Sequence, residues 1–306
     1  MRISTTQMQK NALTAMLDQQ VALSKTQQQV ASGQRILSPS DDVLGTTQVL
    51  ALQKVIATYK QYDENSFVAD SRIKLEEGAL TGVVDGLQRA RELAIQGTNT
   101  TYGATERRSI AAEVRQILGE VRGIANTVDS NGEYIFAGFN VDTAPFAETE
   151  NPVGSGLYDY SYTGDLGQRT VQIGATRFIA VGDPGDSVFM NVPESGGGTQ
   201  NLFESLEQLA VDLESNVSPT TSVDDLRLAI EHLAGFISQS GARQNAIESH
   251  RILNTDVIFQ SEKTMSEIKD MDYAEGISRL NTQLAGLQAA QQTFAQIQNL
   301  SLFNFL

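Results

Sequence analysis

His232 and His250 are the only histidines in this chain of 306 residues, and they fall 18 residues apart, about five helical turns. A shared helix face presents two imidazoles to a metal only where further ligands converge on them. Five turns also keep the rings from touching, so packed or solvent-facing histidines are the plainer reading. Asp41 and Asp42 offer an acid pair or a cation site, but they follow Ser38-Pro39-Ser40. That order reads as a helix start, with Ser38 as cap, Pro39 at the first helical position and carboxylates where the helix dipole favours them. No Lys follows a Gly, so a Walker-type phosphate loop is excluded. Gly154-Ser155-Gly156 and Gly196-Gly197-Gly198 do not sit between a strand and a helix, and no Gly-x-Ser-x-Gly elbow exists. With no cysteine, thiolate catalysis and disulfides are impossible. Neither enzymatic activity nor a cofactor nor a metal is expected.

The chain is long enough for two or three domains. Its net charge of -15 is unevenly placed, because residues 133–220 hold thirteen acidic side chains against Arg169 and Arg177 alone. An acidic exterior opposes binding to nucleic acid or to anionic membranes, both of which draw their affinity from Lys and Arg. The opening Met1-Arg2-Ile3-Ser4-Thr5-Thr6-Gln7-Met8 lacks the apolar core of a secretory signal, and no stretch approaches the ~20 apolar residues of a spanning helix. Export, if it occurs, is expected to use another route, without membrane insertion.

The elements that carry these residues are mostly helical. Ser4 to about Gln34 is rich in Gln, Ala and Leu, lacks Pro and reaches its first Gly at Gly33, so one long helix is predicted there. A second is predicted from about Ser40 to Ile95, with Leu50, Ile56, Phe67, Ile73, Leu80, Val84 and Leu87 as its buried stripe. Gly78, Gly82 and Gly86 within it imply close helix packing or a weak segment, since each is about 1 kcal/mol poorer than Ala. Thr105 to Val128 returns as an amphipathic helix through Ile110, Val114, Ile117, Leu118, Val121 and Ile124. The period then becomes strand-like over Glu133–Phe139, Tyr158–Tyr162, Arg169–Ile173 and Arg177–Val181. Asn201 with Glu204 caps a short helix ending near Glu214, and Ser222 with Asp225 repeats the signal before a long helix to about Met265. The expected fold is mainly α with a β insertion, in which both termini form a long antiparallel bundle or coiled coil and a small antiparallel β domain occupies the middle. The expected parts are a terminal assembly domain (1–42 plus 265–306), a long-helix bundle (43–132 plus 222–264) and an acidic β-rich outer domain (133–221).

The ends carry the strongest signal. Met16, Leu23, Val30 and Leu37 repeat every seven residues, flanked by Leu13, Gln20, Gln27 and Gln34. The last 26 residues hold no charged side chain, and Ile277, Leu280, Leu284, Leu287, Phe294, Ile297 and Leu300 follow a 3.5-residue period before Leu302, Phe303, Phe305 and Leu306. Such a stripe has to be covered, either by a hairpin inside one chain or by neighbouring copies. The uncharged outer face of the last helix and the Gln row favour neighbours.

Ala31-Ser32-Gly33-Gln34-Arg35-Ile36-Leu37-Ser38-Pro39-Ser40-Asp41-Asp42-Val43-Leu44-Gly45 resembles the amino-terminal signature of the bacterial flagellin family. Asp270-Met271-Asp272-Tyr273-Ala274-Glu275 and the closing Phe303-Asn304-Phe305-Leu306 are similar to the end of its hook-associated branch, as are Gly132-Glu133-Tyr134-Ile135-Phe136-Ala137-Gly138-Phe139-Asn140, Thr143-Ala144-Pro145-Phe146 and Tyr162-Thr163-Gly164-Asp165. Val43 departs from the Pro common after the Asp pair, which bears on the local helix start. The resemblance implies a structural adaptor at the hook-filament junction, secreted through the flagellar type III export channel without a cleaved signal. It implies self-assembly in a ring or tube layer, a hook-associated neighbour on one side and flagellin on the other, and an export chaperone on the carboxyl helix. The alternatives are a flagellin filament subunit and, from another class, a glycan- or ligand-binding module on a helical stalk, for which Tyr158, Tyr160 and Tyr162 would supply a recognition strip.

Overall fold

The computed structural model describes residues 5–152 and 157–299. They form two compact units, one made of Met1–Thr58 with Asp256–Leu306 and the other of Tyr59–Thr255. Two long helices, α2 (Val43–Gly97) and α5 (Thr220–Lys269), each contribute residues to both units.

The first unit contains α1 (Thr5–Ser32) and α6 (Tyr273–Asn299), paired antiparallel. α1 stops where the sequence predicts, because Gly33 adopts φ +70°, a left-handed conformation that glycine enters at little steric cost. α2 begins at Val43, later than the predicted Ser40. The carboxylate of Asp42 takes the cap, accepting the Gly45 N–H at 2.8 Å, so Ser38 and Pro39 precede the helix instead of opening it. α6 is capped in the same way by Asp272, which accepts the Ala274 N–H at 2.8 Å.

In the second unit, α2 packs against α3 (Ala104–Ala125). Gly82 and Gly86 give this approach: a methyl group on either would stand 3.3 Å from Ile124 or Val121. Gly78 faces open space and has no such role. The stripe on α2 is Ala69, Ile73, Leu80, Val83, Leu87, Ala90, Leu93 and Ala94, whereas Leu50 and Phe67 are 59% and 63% exposed. Ile56, Ile73, Leu80 and Leu87 of the predicted stripe are buried, and Ala69, Ala90 and Ala94 join them on that face. α4 (Leu202–Glu214) closes the core with Asn201 as its cap, as the sequence predicts, its side chain accepting from the Phe203 N–H. α5 starts at Thr220, so Ser222 lies buried inside it, and Asp225 accepts the Ser195 N–H at 2.7 Å instead of closing a capping box.

Among the described residues the insertion holds three two-stranded antiparallel sheets. β1 (Phe146–Glu150) pairs with β2 (Tyr158–Tyr162), β3 (Thr170–Gln172) with β4 (Phe178–Ala180), and β5 (Val192–Pro193) with β6 (Thr199–Gln200). A five-residue π-helical turn, Asp186–Met190, precedes β5. Glu133–Phe139 is a succession of turns, not a strand. Gly132 and Gly138 take φ +82° and +72°, and the Tyr134 and Ile135 N–H groups donate to Val141 and Thr127. Tyr160 is buried in the main core with Tyr158 and Tyr162 packed against it, so the alternating tyrosines form a core face and not an open recognition strip. His232 places Nε2 3.0 Å from the Ser187 carbonyl and packs edge-on to Phe236, which is a structural role.

Candidate assembly site

The two signature segments meet each other. The Arg35 N–H donates to the Lys269 carbonyl at 2.8 Å and the Met271 N–H to the Gly33 carbonyl at 2.9 Å, forming an antiparallel bridge around Gln34 and Asp270. The Arg35 guanidinium adds bonds of 2.8 and 3.2 Å to the Ile268 carbonyl, an unsatisfied acceptor near the end of α5, and reaches the Asp42 carboxylate at 3.1 Å. Gln29 Nε2 donates to the Arg35 carbonyl at 2.6 Å. Asp41 does not sit in a helix. Its Oδ2 gathers the N–H groups of Leu37 and Ser38 at 3.1 and 3.0 Å, and its Oδ1 lies 2.6 Å from Lys25 Nζ on α1. Lys25 first, and then the Ser38 N–H, hold the Asp41 carboxyl down at about 2. A carboxylate held below its usual 3.8 stabilises the fold above that pH and loses its contribution as the pH falls towards 2. The Gly45 N–H and then Arg35 lower Asp42 likewise. The Asp pair is thus a clamp between α1, the connecting loop and α2, not an acid pair for chemistry.

Beyond this latch the helices zip along one seam. Gly276 fits this seam, since a side chain there would collide with Met271 and stand 3.3 Å from Val30, and one at Gly286 would stand 2.9 Å from Gln19 Nε2. Of the predicted seam residues, Met16, Leu23, Val30, Leu280, Leu287 and Phe294 face inward, buried or half-buried. The accompanying row on α1 is Ala12, Gln19 and Thr26, not Leu13, Gln20 and Gln27. Rows three and four residues along flank the same heptad position, and the partner helix with its glycines selects the smaller one. Leu13, Leu37, Ile277 and Leu284 are exposed, as are Leu17 and Val21, which follow Leu13 at four-residue steps along α1. The side chain of Ile297 lies outside the described residues, as do Leu300, Leu302, Phe303, Phe305 and Leu306. Sequence reasoning missed Arg35, Gln29 and Lys25, whose partners are main-chain groups or come from a different element. An open cavity of about 270 Å³ beside the latch is lined by Ile36, Leu37, Pro39, Val49, Leu50 and Lys269, among others.

Replacing Gly33 with Ala is expected to cost about 1–2 kcal/mol locally, since a methyl at φ +70° is strained and would meet the Tyr273 hydroxyl at 2.7 Å. The Met271 amide should then exchange roughly tenfold faster; unchanged exchange would show that the latch does not depend on this turn.

Among the described residues no helix is long and apolar enough to cross a membrane, and no cluster of three or more acidic or histidine side chains could hold a metal. Two family models match the chain, the bacterial flagellin N-terminal helical region over residues 3–141 and the bacterial flagellin C-terminal helical region over residues 223–306. Flagellar hook-associated protein 3 of Escherichia coli (strain K12) is 27% identical over 322 residues, covering 99% of both chains. Flagellin of Bacillus subtilis (strain 168) is 29% identical, covering 97% of this chain and 96% of its own. The crystal structure of the flagellar junction protein FlgL from Legionella pneumophila has the same fold, with a TM-score of 0.62 at 18% identity over 73% of this chain and all of that one.

Proposed function

The chain belongs to the bacterial flagellin family, and on that premise we propose that it is a non-enzymatic structural subunit of the flagellum, an adaptor between hook and filament. The observation that carries this reading is the end-to-end alignment with hook-associated protein 3 of Escherichia coli, outer insertion included. The latch and seam supply the physical counterpart. One face of the α1–α6 hairpin is closed within the chain, and the exposed Leu13, Leu17 and Val21 on α1 and Ile277 and Leu284 on α6 are left for other copies.

In this reading 1–42 plus 265–306 is the assembly domain, whose outward residues Leu13, Leu37, Ile277 and Leu284, with the apolar tail, meet sister subunits in a ring or tube layer. Residues 43–132 plus 222–264 form the supporting bundle, and the acidic 133–221 faces solvent. A hook-associated protein is the neighbour on the hook side and flagellin on the filament side. A chaperone covers the carboxyl helix before secretion through the flagellar type III channel. The absence of cysteine suits passage of an unfolded chain, because no disulfide can form on the way.

Electron microscopy of purified chain added to hooks bearing the preceding hook-associated protein tests the assignment. The expected product is one thin layer that then accepts flagellin. Long filaments grown from the chain alone would establish a filament subunit instead, and failure to attach to hooks would remove the adaptor role.

A further inference from the structure

Glu76 is 1% exposed in the middle of α2. Its Oε1 accepts the Asp183 N–H at 2.8 Å, and its Oε2 has no hydrogen-bond partner. Asp183 is itself buried and forms a two-point ion pair with Arg243 of α5, at 2.8 and 3.0 Å, while Gln168 Nε2 donates to its Oδ1 at 2.7 Å. The charges facing Glu76 are therefore Asp183 from the turn after β4 and Arg243 from α5. The other charged groups close by on α2 are already engaged, Glu77 with Gln244 and Arg72 with Glu133 and Asp129. One cation thus serves two buried carboxylates. With Glu76 neutral the Asp183–Arg243 pair is balanced. With Glu76 ionised, the site holds one uncompensated negative charge and a carboxylate oxygen without a donor, an arrangement that low-dielectric surroundings penalise heavily.

The geometry points to Glu76 as a proton-operated catch: its neutral carboxyl fastens the turn at Gly182-Asp183 and the β3–β4 hairpin onto α2, and its ionised form loosens them. Nothing in the adaptor role calls for such a group, since an alanine or leucine would fill an ordinary helix seam without titrating. Burial first, then the Asp183 charge, push Glu76 up to about 7, while the Asp183 N–H and Arg243 pull the other way without offsetting them. The folded value lies above the ordinary 4.5 of an open chain, so the stabilisation is complete below about pH 4.5 and is lost as the pH rises through about 7.

Amide hydrogen exchange on the full chain, corrected for the intrinsic pH dependence of exchange, tests this through the Ile173, Val181 and Asp183 N–H groups, which bond to Arg177, Arg169 and Glu76. Their opening equilibrium should rise about tenfold between pH 6 and pH 8, while amides of the aromatic core stay flat. Glu76→Gln, which keeps an acceptor for the Asp183 N–H but cannot ionise, should abolish the rise. Opening independent of pH in the wild-type chain, or the same rise in E76Q, would overturn the proposal. Carbon-13 titration of the Glu76 carboxyl in the unaltered chain decides the matter even if the variant fails to fold, because a midpoint below about 5.5 leaves the group ionised throughout the neutral range.

Discussion

A chain ending at Leu280 is expected to abolish swimming in a strain that depends on it, while leaving the second unit folded. The truncation removes Leu284, Leu287 and Phe294 together with the whole apolar tail, and takes from Gln19 of α1 its partners Gln283 and Gly286. A fully buried Leu or Phe brings about 1.5–3 kcal/mol, and Leu287 and Phe294 are half-buried, so the hairpin loses a fraction of that at each of the two. It also loses the surface on which other copies would settle. The second unit, Tyr59–Thr255, contains none of these residues. Its thermal transition should therefore stay within a degree or two of the parent, whereas swim-plate diameter should fall to that of a non-flagellated strain. Full swimming by the truncated chain would sink the adaptor assignment. Loss of both swimming and the second unit's transition would instead show that the units fold as one.

Phe189→Ala should be the most destabilising single change in the second unit. The Phe189 ring is fully buried and meets Phe136 and Phe146 edge-on at 5.1 and 5.2 Å and stacks on Phe203 at 5.9 Å. Truncation leaves a cavity where three rings converge, and large-to-small changes of this kind cost about 3–5 kcal/mol. The aromatic pairs, worth about 0.5–1.5 kcal/mol each beyond burial, place it at the upper end. Against a total stability of about 5–15 kcal/mol this is a large fraction. Urea titration should show a lower midpoint with an unchanged slope, and Phe189→Leu should recover more than half of the loss. A midpoint shift worth less than about 1 kcal/mol would mean that the four-ring cluster is not what joins the insertion to the helices.

Helix identity and order were legible from the sequence because each helix either repeats its apolar residues over many turns or lacks any breaker. The ends of α1 and α4 follow from Gly33 and Asn201, whose side chains, or lack of one, decide the backbone locally. The insertion was less legible. β1 reads Phe-Ala-Glu-Thr-Glu and has one large apolar residue, so it carries no alternation to detect, while Glu133–Phe139 has the right composition for a strand but two glycines at positive φ. The Ser222 and Asp225 pattern misleads because Asp225 is engaged by Ser195, thirty residues away. At the assembly site the heptad of Met16, Leu23 and Val30 was readable, but the latch was not. Its bonds run through main-chain groups of Gly33, Arg35, Lys269 and Met271, which are the same in every sequence.

The pairing of α1 with α6 also governs the order in which the molecule can form. Gln19 meets the carbonyl of Gln283 at a sequence separation of 264, nearly the full chain, whereas the second unit is one uninterrupted run. Contacts that close so long a loop come late, because their entropic penalty precedes any reward. The central run is therefore expected to reach its native arrangement first, and the terminal hairpin to register last, once the final residues have emerged. For an interval in every folding event both sticky ends are available at once, a window in which joining a sister molecule competes kinetically with closing on oneself.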